Sequence, residues 1–164
     1  MKVTLNANEL ESVELSWLCI KPMLHAVRGK DMQTKLEMYH QLNEAQKGLY
    51  LFYSFHNHTD TNMEFYWFSA HNINELKSWE RIRQAMLFFK ADALIEVLDE
   101  IQRFIQERSM LNKMISPMDL EKDSFLLNEV NQLHEKYSRC SAIAIQQMNE
   151  YILDHRAEFL ELDL

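Results

Sequence analysis

The chain reads as an all-α protein, a single compact domain of about seven to nine helices spanning residues 1–164, and three observations predict that class. Only two Gly and two Pro occur in 164 residues, which leaves almost none of the punctuation that hairpins and tight strand connections need. Apolar residues recur at the intervals of a helix face through most of the chain. The composition, 47% hydrophobic and 11% aromatic, exceeds that of a disordered chain, and at this length folding buries roughly two-thirds of the extended surface.

The elements follow in order. A first helix starts after Asn6 or Asn8 and turns Val13, Leu15, Leu18, Cys19 and Ile20 toward the core. Pro22 should kink or end it, because proline lacks the N–H and crowds the preceding turn. Gly29 then suits a left-handed C-terminal position. Asp31 caps the next helix, with Met32, Leu36 and Tyr39 or His40 inward, and Asn43 with Gln46 forms a capping box. Behind that box, Leu49 to Phe55 is apolar nearly all round and therefore central. Residues 56–62 form a polar loop, and an aromatic helix runs from Met63 to Ala70. Asn74 caps a helix from Glu75 to about Lys90, and Asp92 starts another carrying Leu94 to Ile105. Ser116-Pro117-Met118-Asp119 is a helix start, with the proline at the first helical position. Two or three further helices complete the chain.

Charge narrows the partners. The 17 Lys and Arg against 25 Asp and Glu give a net charge of −8, which disfavours direct nucleic-acid binding, since that affinity needs a basic footprint. No run of apolar residues is long enough to span a membrane, and no secretory leader is visible. Cys19 and Cys140 lie far apart without metal-type spacing, which suits a cytoplasmic protein.

Motifs for catalysis are sparse. No Gly-rich phosphate loop, nucleophile elbow or helical zinc-binding His pair is present. The best metal candidate is His56, His58 and His71 with Glu64, flanking the aromatic helix, but the strands and further ligands of a His-Asn-His nuclease are missing. Residues 60–64 space oxygen ligands like a calcium loop without its glycine or terminal acid. Cys140 sits in acidic sequence, where a thiolate finds no support. The expectation is a binding protein with no cofactor and no metal, not an enzyme. The aromatic residues Phe52, Tyr53, Phe55, Phe65, Tyr66, Trp67, Phe68, Phe88 and Phe89 lack the neighbouring cations of a base-stacking platform and read as core.

The acids carry more information. From Pro117 to Leu164 ten acids, Asp163 among them, face four cations. Glu150, Asp154, Glu158 and Glu161 are spaced four, four and three apart and share one face if the segment is one helix, about 6 Å apart along its axis. A second, mixed row runs through Glu96, Glu100, Arg103 and Glu107. Rows of carboxylates steer a basic surface toward them, and a duplex presents comparable rows of phosphates about 3.4 Å apart along each strand.

Three segments, Leu49 to Tyr53, Asn62 to Asn72 and Met148 to Phe159, with the helix from Trp79 to Phe104, resemble the bacterial DNA-mimic protein family. Members carry a paired glycine before the aromatic helix where this chain has Met63-Glu64, so the loop should be shaped differently. The resemblance implies a homodimer whose acidic surface captures a helix-turn-helix transcriptional repressor and so relieves repression. The contact would use Glu150, Asp154, Glu158 and Glu161 with Glu96, Glu100 and Glu107. An immunity-type or adaptor protein that binds a toxin or enzyme through apolar contacts is the alternative, and salt-insensitive binding would mark it.

Overall fold

A computed structural model describes residues 1–111 and 114–161. Among these the protein is all-helical: α1 (Ala7–Leu10), α2 (Leu15–Ala26), α3 (Met32–Gln41), α4 (Glu44–His56), α5 (Asn62–Asn74), α6 (Trp79–Phe88), α7 (Asp92–Leu111), α8 (Asp119–Lys122), α9 (Ser124–Asp154) and α10 (Arg156–Phe159). Ten helices replace the expected seven to nine because α1, α8 and α10 are single turns at bends of the chain. No helix among the described residues is long and apolar enough to cross a membrane.

Helix α4 occupies the centre, as its apolar run predicts, packing on α2 and α6. It starts at the capping box, in which Asn43 and Gln46 bond each other's backbone N–H. The 31-residue α9 runs along the opposite side and touches α2, α5, α7, α8 and α10. One continuous core fills the space between, from Val3 to Leu160, with Leu15, Leu49, Phe52, Phe55, Trp79 and Tyr137 fully enclosed. Val3 and the segment Phe159 to Glu161 meet beside it. Val3 N–H donates to the Phe159 carbonyl at 2.8 Å, and Glu161 N–H donates to the Val3 carbonyl at 3.0 Å.

Gly48 explains how closely α4 and α6 approach. A Cβ at this position would stand 2.8 Å from Cε2 of Phe89 and 3.5 Å from Cβ of Ala85. A mid-helix glycine costs about 1 kcal/mol against alanine; here that cost permits the contact. Gly48→Ala is expected to destabilise by about 1 kcal/mol net, because overpacking costs about 1–3 kcal/mol and outweighs the gain in helix propensity. In the Phe89→Leu background the same change should become neutral or stabilising, and denaturant titration of the four variants checks both signs.

Several sequence expectations give way to tertiary context. The first helix breaks between α1 and α2, and Val13, expected inside, is 82% exposed at the break. Helix α2 lacks a side-chain cap of its own. Asn149 of α9 supplies one, accepting from Ser16 N–H and donating to the Val13 carbonyl, both at 2.8 Å. Helix α2 also runs through Pro22, whose ring faces solvent, so only one backbone bond is lost and no core contact is disturbed. Met32 and Leu36 of α3 are exposed and Met38 packs inward in their place, beside Tyr39, which lies inward as expected.

Asn74 ends α5 rather than capping α6, which begins at Trp79 after a turn with Lys77 at φ 52°. The indole of Trp79 donates to the Leu98 carbonyl at 3.1 Å, which fixes where α6 can start. Lys90, at φ 57°, separates α6 from α7. At the Ser116-Pro117 start signature the helix begins later, at Asp119, whose carboxylate accepts from Ser116 N–H at 2.9 Å.

Candidate protein-binding surface

Helices α7 and α9 lie side by side and antiparallel. Two contacts set the register: Lys136 Nζ to Glu100 Oε2 at 2.8 Å, and Gln147 Nε2 donating to the Lys90 carbonyl at 3.3 Å. Both helices are amphipathic; Leu94, Val97, Leu98, Ile101 and Ile105 of α7, with Leu126, Val130, Tyr137 and Ala144 of α9, are buried. Their polar sides therefore run together along one surface.

Between them lies a groove of about 300 Å³. Its walls carry Glu100 and Glu107 from α7 and Glu129 from α9, and Arg103 and Lys136 stand among these acids. The groove is thus of mixed charge, with Phe104 and Leu133 half-buried along it. Glu96 and Glu107 are exposed, whereas Glu100 is held by Lys136. Glu129 was not singled out by spacing; only the packing of α9 on α7 brings it opposite Glu107.

The C-terminal row departs from the one-helix arrangement. Glu150 and Asp154 share a face of α9, but the helix ends at His155, whose backbone leaves helical geometry at φ −123° and ψ 37°. Glu158 belongs to α10, and Glu161 follows it, held by its backbone bond to Val3 and by the Thr4 hydroxyl donating to its carboxylate at 3.3 Å. The chain turns here so that Phe159 and Leu160 can be buried. All four acids are exposed, and no ion pair among the described residues involves any of them. Asp163 lies outside the described residues. Beside this acidic end, Phe88 is 42% exposed, where core burial was expected, and packs edge-on against Tyr151 at 5.2 Å.

The histidine set is used for packing. His58 stacks on Phe68 at 4.2 Å and His71 on Trp67 at 4.8 Å, while Glu64 bonds the Thr61 hydroxyl within the cap of α5. His56 turns the other way, stacking on Phe52 at 4.8 Å with its Nδ1 hydrogen-bonded to the Tyr137 hydroxyl at 2.9 Å. Burial holds its pKa down at about 4, slightly opposed by Asp60. These four side chains do not converge, and among the described residues no three His, Cys, Asp or Glu side chains stand together as a metal site would need.

The residue that organises this loop is His134. Its ring nitrogens lie 2.7 Å from Asn62 Oδ1 and 2.6 Å from the Thr59 carbonyl, and its face stacks on Phe65. It pins residues 57–61 against α9. Both cysteines are free thiols; burial pushes Cys19 up to about 12, which removes it as a nucleophile. No protein-family model, curated protein or solved structure matches the chain.

Proposed function

We propose that the protein binds a basic DNA-binding protein through its acidic surface and acts as a DNA mimic that removes a helix-turn-helix repressor from its operator. The observation that carries this reading is the set of exposed carboxylates, Glu150, Asp154, Glu158 and Glu161, that form no ion pair among the described residues, at the end of a surface that also exposes Glu96 and Glu107. Unpaired exposed acids keep their field in solution, and such a field accelerates and orients the approach of a cationic face. The resemblance of the aromatic and C-terminal segments to the DNA-mimic family supports the same partner class.

The test is capture of partners from an extract of the cells of origin, followed by competition. A captured DNA-binding protein should be displaced by duplex DNA, and its affinity should fall steeply as salt rises. The variant Glu150→Lys, Asp154→Lys, Glu158→Lys, Glu161→Lys is expected to lose about 100-fold or more in affinity, since reversal replaces attraction by repulsion at each position. Affinity indifferent to salt and to these reversals would sink the proposal and favour an adaptor that recognises apolar shape.

A further inference from the structure

A second cavity, of about 310 Å³, lies between the turn that follows α4 and the middle of α9. It shares no residue with the α7–α9 groove or with the acidic end. His56, Thr59 and Asp60 form its loop side. Ser138, Ser141, Ala142 and Ile145, spaced so as to share one helix face, form the other. His134 holds the loop wall in place through the Thr59 carbonyl. The hydroxyls decide what the cavity can bind. Thr59 Oγ1 donates to the His56 carbonyl at 2.8 Å, Ser138 Oγ to the His134 carbonyl at 2.8 Å and Ser141 Oγ to the Ser138 carbonyl at 3.1 Å. A hydroxyl has one proton and two lone pairs, so each of these, its proton committed to the backbone, has only acceptor capacity left. Asp60 adds a carboxylate that is exposed and in no ion pair among the described residues. No Lys or Arg among the described residues lines the cavity. Burial holds the pKa of His56 down at about 4, so its ring adds no positive charge at neutral pH.

We propose that this cavity binds a small organic molecule through a primary ammonium group. A wall of lone pairs with one carboxylate is complementary to a cation rich in N–H donors, and an ammonium carries three. A molecule that offers only acceptors would set oxygen against oxygen. Size and the remaining walls narrow the class further. The volume lies at the small end of the roughly 300–1,000 Å³ of ligand sites. Ala142 and Ile145 supply an apolar end for a short carbon chain. A metal ion fits less well, because among the described residues no three His, Cys, Asp or Glu side chains stand together to hold one. The chain's net charge of −8 raises the local concentration of any small cation. This inference is independent of the proposed capture of a repressor, since none of the carboxylates of that surface lines the cavity.

The test is titration of the isotopically labelled full chain with propylammonium chloride, read from amide chemical shifts. Saturable shifts are expected at Asp60, Ser138, Ser141 and Ala142, with a dissociation constant on the order of 1 mM, within the ceiling for so small a ligand. Propanol keeps the carbon chain and loses the charge, whereas tetramethylammonium keeps the charge and loses the N–H donors. Each should bind at least about 10-fold more weakly, as should potassium chloride. Asp60→Asn should weaken propylammonium about 10-fold or more, the loss of one charge-assisted bond. Ser138→Ala removes one acceptor and should weaken it about 5-fold. Both positions are exposed, so the far-UV circular dichroism of the variants should match the wild type. Shifts that fail to saturate by about ten times the expected constant overturn the proposal. So does tetramethylammonium or potassium binding as tightly as propylammonium, an affinity indifferent to Asp60→Asn, or shifts confined to other parts of the chain.

Discussion

Replacing Tyr137 with alanine is expected to remove about 4 kcal/mol of folding stability, in the range measured for deleting a buried aromatic ring. The side chain is 1% exposed and sits where α9 meets α4 and α5, with Phe55 at 5.5 Å and Phe65 at 5.4 Å between ring centroids. Its hydroxyl bonds His56 Nδ1 at 2.9 Å. Truncation therefore opens a cavity among three helices and leaves a buried ring nitrogen without that partner. Tyr137→Phe keeps the ring and should cost only about 1 kcal/mol, the net worth of one hydrogen bond. Urea midpoints measure both. A loss below about 2 kcal/mol for the alanine variant, against a total of 5–15 kcal/mol for a typical domain, would mean the three helices close over the gap.

The second large effect is a dependence on pH carried by His56. Burial lowers its folded-state pKa from 6.5 to about 4. The unfolded chain thus takes up the proton first as pH falls, and its share of stability declines between about pH 6.5 and about pH 4, then levels off once both states are protonated. At 1.36 kcal/mol per unit, the full decline is about 3 kcal/mol. Above pH 6.5 the imidazole is neutral in both states and contributes no slope. Comparing His56→Gln with the wild type across this range removes the carboxylates common to both, and the difference curve should rise with pH through the window. A flat difference would show that His56 is solvated despite its stacking on Phe52.

Much of this architecture is legible in the residues themselves. The capping box at Asn43 and Gln46, the Asp31 cap, the left-handed Gly29 and the apolar run of α4 each rest on local chemistry, and each appears where that chemistry places it. The departures have nonlocal causes. Val13 lies outside because Asn149, more than 100 residues away, fixes the start of α2, and Trp79 starts α6 because its indole reaches Leu98. The candidate surface was legible by composition and not by arrangement. Spacing alone aligned Glu150 with Glu161, but burial of Phe159 and Leu160 turns the chain between them. Lys136 neutralising Glu100 across the groove is a contact between helices that no periodicity encodes.

The bond pair joining Val3 to Phe159 and Glu161 has a consequence for the order of assembly. Thr4 and Glu161, which meet there, are 157 positions apart in sequence. Closing so long a loop costs more chain entropy than any contact within a hairpin of neighbouring helices, and it is compensated only after the intervening bundle has formed. The clasp should therefore close last during folding and part first on warming. Glu158 and Glu161 ride on it, so half of the C-terminal carboxylate set is positioned by the opening residues of the chain. Loosening that tether would change the shape of the acidic end while the rest of the bundle stays folded.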